Sequence, residues 1–210
     1  EIYSFHVTKI FNSIEGGVAI TNNKSIHKTL KNLRNFGQSE KQTGDVLVPG
    51  LNSKMQEFSA IIGLENLKRI NSQIEKRRKV IKQYNEFFKL LEKKNYLKLM
   101  KVRPNVECQY LYYPIILKNN RENFLKYLKK NKIFGRKYYT SVKDLTFYKN
   151  KFKCFNEMRC ECKHSCNDKN SLVNTEKIKN KIVALPLHTE TSNKKLKNLF
   201  NTIKKYFNEK

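Results

Sequence analysis

The chain has 210 residues, of which 39% are hydrophobic and 11% aromatic, enough for one or two globular units and too apolar for a disordered tail. A formal charge of +26 raises the hypothesis of a polyanionic partner, but the lysines are spread from end to end, without the arginine forks or aromatic clusters typical of nucleic-acid recognition. No apolar run reaches the roughly 18 residues that a membrane-spanning helix needs.

Two short strands are predicted at the start, over residues 1–7 and 16–22, and Lys9 lies where the first one ends. In a chain so rich in lysine, the default interpretation of Lys9 is a solvated surface residue. Its position at a strand end, followed by two glycines that permit close backbone approach, favours a ligand site instead. A partly desolvated lysine can lose its proton and attack a carbonyl carbon to form a Schiff base.

Helices follow the two strands. A first helix is predicted to begin at a Ser25 cap, and residues 44–52, rich in Gly and Pro, are predicted to form a loop. The pair Ser53 and Gln56 matches a capping box that would start a second helix. A second box around Ser72 predicts that this helix restarts there, with a bend between domains.

The second half of the sequence alternates between strand and helix patterns. Strands are predicted over residues 108–118, 133–140 and 183–188, with a short helix after the first and an amphipathic helix at the C-terminus. This order predicts a small α/β domain.

Four cysteines lie close together in the second half, with the spacing C-x5-C-x-C-x3-C. The spacing lacks the paired C-x2-C knuckles typical of zinc sites, which favours a polar inserted loop with free thiols over a zinc site or a disulfide loop. These residues are Cys154, Cys160, Cys162 and Cys166. Cys108 stands apart in an apolar strand, as a small core residue would.

Several stretches in order carry a resemblance to a known family. "SFHVTKIFNSIEGGVAITNN", "LRNFG", "GLNSKMQEFSAIIGLENL", "IFGRKYYTSVKDL" and "VALPLHTETSN" resemble the successive signature stretches of the DegT-type nucleotide-sugar aminotransferases. These are fold-type I enzymes that depend on pyridoxal 5'-phosphate. The first stretch is most similar to members that act on dTDP-4-keto-6-deoxyglucose.

The resemblance implies an α/β fold and a domain plan. Residues 1–72 would form the C-terminal part of the large, mixed-sheet cofactor domain, residues 73–100 a connecting helix, and residues 101–210 a small C-terminal α/β domain with a Cys-bearing insertion around 150–172. We interpret the chain as the C-terminal portion of a fold-type I aminotransferase, inactive by itself.

The resemblance also implies roles for particular residues. Lys9 would be the catalytic lysine that binds the cofactor covalently and moves the substrate proton. Ser4 would bind the cofactor phosphate, and Asn52 would reach the phosphate held by a neighbouring subunit, which implies a homodimer with shared active sites. Tyr138 and Tyr139 would lie near the sugar end of the substrate.

Each of these residues also has a structural interpretation. Ser4 could pair with local backbone, Asn52 could be a loop residue or helix cap, and Tyr138 and Tyr139 could be half-buried strand residues. His6 shares a strand with Ser4, and we expect it to be held by hydrogen bonds rather than to transfer protons.

The predicted function is transfer of an amino group, from L-glutamate, to a keto-deoxy nucleotide sugar in the cytoplasm, as in deoxysugar and polysaccharide biosynthesis. No metal site and no membrane or nucleic-acid partner is assigned. Two alternatives remain open: a truncated, catalytically inactive binding or regulatory relative, and a basic nucleic-acid-binding protein.

Overall fold

The computed structural model describes residues 1–39, 42–107, 110–151 and 172–208. The chain divides into two units, Glu1–Glu75 and Lys76–Lys210. The mixed α/β architecture is confirmed, whereas the assignment of residues 1–72, 73–100 and 101–210 to parts of an enzyme stays a prediction. Cys108 and the four clustered cysteines lie outside the described residues.

The first unit begins with an antiparallel hairpin of β1 (Ile2–Ser4) and β2 (Gly17–Ala19). Ser4 pairs with Gly17, and Ile2 pairs with Ala19. Both predicted strands are therefore confirmed, in shorter form. All six of their residues are exposed, although a two-stranded hairpin by itself is marginally stable in water.

Helix α1 (Lys24–Arg34) follows, and its cap differs from the predicted one. Asn23, not Ser25, is the N-cap, because its side-chain oxygen accepts the backbone N–H groups of Ser25 at 2.9 Å and Ile26 at 3.0 Å. Strands β3 (Gln38–Ser39) and β4 (Gln42–Val46) pair antiparallel, and β4 extends into the start of segment 44–52, which the sequence predicts to be a loop.

The long helix α2 spans Glu57–Lys93, 37 residues, without the predicted restart at Ser72. A serine inside a helix costs only a few tenths of a kcal/mol, so the local capping signal does not interrupt a helix whose later turns, with Val80, Tyr84 and Phe88, pack into the hydrophobic cluster. Nor is Ser53 the N-cap. Gln56 accepts the first helical hydrogen bond, from the N–H of Ala60 at 3.0 Å, while the N–H of Ser53 donates to Arg34 at 2.9 Å.

The second unit contains a three-stranded antiparallel sheet in the order β5 (Leu97–Leu99), β6 (Tyr113–Leu117), β7 (Ile182–Leu185). The strand predicted over residues 133–140 is wrong, because that segment contributes only an isolated bridge between Arg136 and Ala184.

Four helices complete the described part of this unit: α3 (Arg121–Lys130), α4 (Thr146–Lys151), α5 (Val173–Ile178) and α6 (Asn193–Asn208). None of the helices in the described ranges combines the length and apolar character that a membrane crossing requires.

The buried side chains of the second unit form one hydrophobic cluster. The rings of Tyr84 and Phe88 on α2 pack against Tyr113 on β6, with centroid distances of 4.6 and 5.4 Å. The least exposed members of the cluster are Tyr84, Phe88, Phe124, Leu97, Ile115, Leu117, Leu128, Leu185, Leu187, Leu196, Ile203 and Val183.

We predict that Phe88→Ala lowers the free energy of unfolding of this unit by about 3–5 kcal/mol, because it leaves a cavity among packed rings. The matched control is Leu90→Ala on the same helix, where the side chain is 60% exposed and the change should stay within about 0.5 kcal/mol. Urea unfolding of both variants measures the difference. Equal losses would contradict this account of the core.

Candidate functional site

Lys9 lies in the loop between β1 and β2, and backbone hydrogen bonds close that loop. The N–H of Phe5 donates to Gly16 at 2.8 Å, and the N–H of Ser13 donates to Phe5 at 2.9 Å. The rings of Phe5 and Phe11 meet edge to face at 4.8 Å. The loop is therefore a closed structure that continues the hairpin.

The loop is also tied to the first part of α2, within the same unit. Ser13 is 1% exposed, and its hydroxyl donates to the carbonyl of Glu15 at 2.7 Å. The side-chain amide of Asn66 on α2 donates to the carbonyl of Asn12 at 2.9 Å. These bonds fix the position of the Lys9 loop against the first part of α2, around Asn66.

Both backbone groups of Lys9, its N–H and its carbonyl, form hydrogen bonds, whereas its side chain is exposed. Its N–H donates to His6 at 2.9 Å, and its carbonyl accepts the side-chain amide of Asn12 at 3.2 Å. Within the described ranges, the Lys9 ammonium has no hydrogen bond or ion pair. The amine is therefore available to a ligand.

Ser4 lies at the end of β1, five residues before Lys9, and is exposed. Its oxygen accepts the N–H of His6 at 3.3 Å, which leaves the hydroxyl proton without an acceptor among the described residues. The His6 ring contacts the Thr8 hydroxyl at 2.9 Å and the Glu15 carboxylate at 3.7 Å. His6 thus lies in the bonded environment that we expected.

The two glycines after the loop have the properties that the sequence predicts. Gly16 has a φ of 141°, a conformation that only glycine adopts readily. A Cβ atom on Gly17 would lie 2.8 Å from the carbonyl oxygen of Tyr3, so the close strand pairing requires glycine there. Close approach and unusual backbone angles are both confirmed.

Asn52 lies elsewhere in the first unit, just before α2. It forms an isolated antiparallel bridge with Asn35, and its neighbour Leu51 donates to Leu33 at 2.8 Å. Because α2 begins at Glu57, Asn52 is not its cap. The side chain is exposed and has no hydrogen bond within the described part of the chain.

Tyr138 and Tyr139 lie in the second unit with their rings stacked at 4.3 Å. Tyr112 meets the Tyr138 ring at 5.0 Å, and Arg136 donates to the Tyr138 hydroxyl. The hydrogen bonds from Tyr112 and Arg136 lower the pKa of Tyr138, while the bond to Tyr138 raises the pKa of Tyr112. Tyr139 is 73% exposed.

Tyr112, Tyr138 and Tyr139, with Arg136 against two of their rings, form a cluster that we call the aromatic group. The sequence analysis did not identify Arg136. Its guanidinium lies 5.5 Å from the ring centres of both Tyr112 and Tyr138, a cation–π geometry. The signal that could have identified it is its place two residues before Tyr138, on the same side of an extended segment.

The structure thus brings Ser4 and Lys9 into one hairpin, and Tyr138 and Tyr139 into one aromatic group. Two clefts, of about 1550 and 300 Å³, occur in the second unit, and Lys9, Ser4 and Asn52 line neither of them. The described residues around Lys9 supply reactive and hydrogen-bonding groups without enclosing them.

Comparison with known proteins gives consistent matches over nearly the whole chain. The model of the DegT/DnrJ/EryC1/StrS aminotransferase family matches residues 1–204. A dTDP-4-amino-4,6-dideoxy-D-glucose transaminase from Shigella dysenteriae is 27% identical over 210 residues, covering 97% of this chain and 51% of the relative. A UDP-4-amino-4,6-dideoxy-N-acetyl-beta-L-altrosamine transaminase from Campylobacter jejuni is 30% identical over 118 residues, covering 55% of this chain and 31% of the relative.

The fold has matches among solved structures. The crystal structure of a DegT DnrJ EryC1 StrS aminotransferase from Brucella abortus has a TM-score of 0.79 at 23% identity, covering 98% of this chain and 50% of that one. The chain therefore spans about half the length of the first relatives it matches.

We predict that Gly16→Ala opens the Lys9 loop, because its methyl group would lie 2.9 Å from the buried Ser13 hydroxyl and its φ is strained for alanine. Hydrogen exchange at the amides of Phe5 and Ser13 should become at least about tenfold faster. Gly44→Ala is the control: it also has positive φ, but its methyl would meet no atom within 4 Å. Equal acceleration by both variants would show that the contact with Ser13 is unimportant.

Proposed function

Because the chain belongs to the DegT/DnrJ/EryC1/StrS aminotransferase family, we propose that it carries the lysine-bearing part of an enzyme that transfers an amino group to a nucleotide-linked keto sugar. Aminotransferases of this family depend on pyridoxal phosphate. The observation that carries the proposal is the hydrogen-bonded hairpin, which contains both the Ser4 hydroxyl and the Lys9 amine, an amine without a hydrogen bond or ion pair among the described residues.

The residues present fit the two polar ends of pyridoxal phosphate. A primary amine is the group that reacts with its aldehyde, and the unused Ser4 proton suits a phosphate oxygen. The surroundings fit a covered site: Tyr3, Val7 and Ile20 are 49, 55 and 53% exposed, and apolar surface of this kind is typical of faces that another surface covers.

When bound, the cofactor supplies an electron sink for the carbon that loses its proton. Lys9 would remove this proton from the amino-bearing carbon as a base and would then deliver it to the cofactor as an acid. The closed loop matters here because a general base must stay within hydrogen-bond reach of the proton that it transfers. Ser4 holds the phosphate and thereby the orientation of the ring.

Asn52 in the first unit and the aromatic group in the second unit each have a further proposed role. The exposed Asn52 amide binds the phosphate held by a second copy of the enzyme in a homodimer, a role that its backbone bridge to Asn35 supports by holding it in place. Tyr138 and Tyr139 contact the sugar, and Arg136 positions the ring of Tyr138.

The proposed substrate is dTDP-4-keto-6-deoxyglucose, with L-glutamate as amino donor and the cytoplasm as compartment. The Shigella relative supports the dTDP sugar, while the Campylobacter relative supports a UDP-linked sugar as the alternative.

A second candidate, a binding or regulatory relative without catalysis, is favoured by one observation. Lys9 is exposed among the described residues, and lysine amines become neutral nucleophiles when they are desolvated. Activity assays on the protein expressed from the complete gene distinguish the two candidates.

We predict that Lys9→Ala lowers the rate of amino transfer at least about 10²–10⁴-fold, because it removes the proton-transferring amine. Added methylamine should restore part of the rate in Lys9→Ala, since a small amine can occupy the vacated space. Lys28→Ala, at another exposed lysine of the first unit, should keep the parent rate.

These rates are measured with dTDP-4-keto-6-deoxyglucose and glutamate as substrates, and chromatography quantifies the amino sugar that forms. Parent activity in Lys9→Ala would refute the catalytic role. An inactive parent protein that still binds nucleotide sugars would favour the second candidate.

We predict that Ser4→Ala weakens binding of pyridoxal phosphate by about 10–100-fold, since a hydrogen bond to a charged group is worth about 1.5–3 kcal/mol. Ser4→Thr keeps the hydroxyl and should retain most of the affinity. Titration of the cofactor by its visible absorbance measures both variants. An unchanged affinity in Ser4→Ala would show that Ser4 does not bind the cofactor phosphate and makes only its local hydrogen bond to His6.

A further inference from the structure

His6 lies at the start of a tight turn that separates the Ser4 hydroxyl from the Lys9 amine. The N–H of Lys9 donates to the carbonyl of His6 at 2.9 Å, which closes the turn. The N–H of His6 donates to the Ser4 oxygen at 3.3 Å. The backbone of His6 is therefore bonded to both residues that the proposed function places against the cofactor.

The imidazole ring of His6 adds a side-chain acceptor to this turn. The backbone N–H of Thr8 donates to Nδ1 at 3.3 Å, and the Thr8 hydroxyl lies 2.9 Å from the same atom. A side-chain acceptor for the N–H two residues later is the arrangement of an Asx-turn, in which Asn or Asp normally supplies the acceptor. Because the Thr8 N–H needs a lone pair, Nδ1 is unprotonated, and the neutral ring carries its proton on Nε2.

The other ring nitrogen faces the opposite arm of the loop. Nε2 lies 3.7 Å from the carboxylate of Glu15, whose backbone N–H and carbonyl both bond to the buried Ser13. The side chains of His6 and Glu15 are 45 and 73% exposed, and an interaction between groups so exposed contributes little to stability. The carboxylate therefore acts on the orientation and tautomer of the ring rather than on the stability of the loop.

We propose that His6 is a positioning residue for amino transfer: its Nδ1 acceptor fixes the turn from which the Lys9 side chain extends, and thereby the start of that side chain relative to the Ser4 hydroxyl. This inference rests on the proposed function, because it concerns the same amine. His6 transfers no proton in this role, since Thr8 occupies Nδ1 and Nε2 faces Glu15. Position matters because a misplacement of about 1 Å can cost about 10²-fold in rate.

Two substitutions separate the contributions of the two ring nitrogens. His6→Asn places an amide oxygen near the position of Nδ1, where it can accept the Thr8 N–H, and asparagine is common at the first position of such turns. His6→Gln has a side chain one carbon longer, so its amide lies near the position of Nε2 and the Thr8 N–H loses its acceptor. We therefore expect His6→Asn to preserve the turn and His6→Gln to loosen it.

The first test measures amino transfer by the protein expressed from the complete gene, at saturating pyridoxal phosphate. His6→Ala and His6→Gln should lower kcat about tenfold or more, with KM for the keto sugar changed less than about twofold, because the groups that bind the sugar are untouched. His6→Asn should keep kcat within about threefold of the parent value. The control is His27→Gln, at an exposed histidine of α1, which should keep the parent kcat. Equal losses in His6→Asn and His6→Gln would overturn the proposal.

The second test requires neither activity nor cofactor. Heteronuclear NMR of the imidazole nitrogens, with His6→Asn used to assign the His6 signals, should show an unprotonated Nδ1 and a proton on Nε2 when the ring is neutral. A neutral ring with its proton on Nδ1 would overturn the proposal, because the Thr8 N–H would then have no acceptor.

Hydrogen exchange separates positioning from loop closure. The amide of Ser13 should exchange within about twofold of the parent rate in His6→Ala, because the bond from Ser13 to Phe5 closes the loop independently of the ring. Much faster exchange at Ser13 would assign His6 to loop closure and contradict the positioning role. An inactive parent protein with the expected tautomer would refute the proposed function but support the turn geometry, whereas an active parent with equal kcat in all His6 variants would refute only the role of His6.

Discussion

The Lys9 hairpin depends on the two hydrogen bonds of the buried Ser13: its N–H donates to Phe5 at 2.9 Å, and its hydroxyl donates to Glu15 at 2.7 Å. These bonds close the loop between β1 and β2, and the side chain of Asn66 bonds the closed loop to the first part of α2. A buried hydroxyl without its acceptor costs about 1–3 kcal/mol, so the open loop is disfavoured. The position of the Lys9 backbone, and with it every proposed role of the amine, follows from this closure.

The two units differ in how they bury apolar surface. The buried hydrophobic cluster of the described residues lies wholly in the second unit, between Val80 and Phe207. In the first unit, large apolar side chains of α2 remain exposed, including Phe58 at 65%, Ile61 at 60% and Leu64 at 62%. A contiguous apolar stripe of this kind is typical of an interface, and it supports the proposed homodimer with shared sites. In the proposed homodimer, the second copy would supply the walls that the described residues around Lys9 do not form.

Much of the local structure follows from the sequence, and the failures have physical reasons. The hairpin strands and the special backbone of Gly16 and Gly17 were predictable, because strand alternation and glycine pairs are short-range signals. The start of α2 was misjudged, since Ser53 bonds to Arg34 at the end of α1, a tertiary partner that a local motif does not reveal. The continuity of α2 through Ser72 has the same origin, because packing outweighs a weak cap signal.

Charge was the hardest feature to interpret from the sequence. The even spread of lysines along the chain indicates a compositional bias. In the structure, however, Lys195 and Lys205 on α6 line a cleft whose wall also contains the half-buried Arg77. Helical periodicity can suggest a stripe, but only the fold shows which stripe faces a concave surface. Arg136 was missed for a related reason, since its role depends on the aromatic rings that the fold assembles around it.

The central claim is that the amine of Lys9 is the covalent attachment point of pyridoxal phosphate. The most direct measurement is borohydride reduction of the protein expressed from the complete gene, after incubation with the cofactor, followed by peptide mass spectrometry. The account predicts one stoichiometric phosphopyridoxyl group on the peptide that contains Lys9. Modification of other lysines with Lys9 unmodified, or no modification, would contradict it.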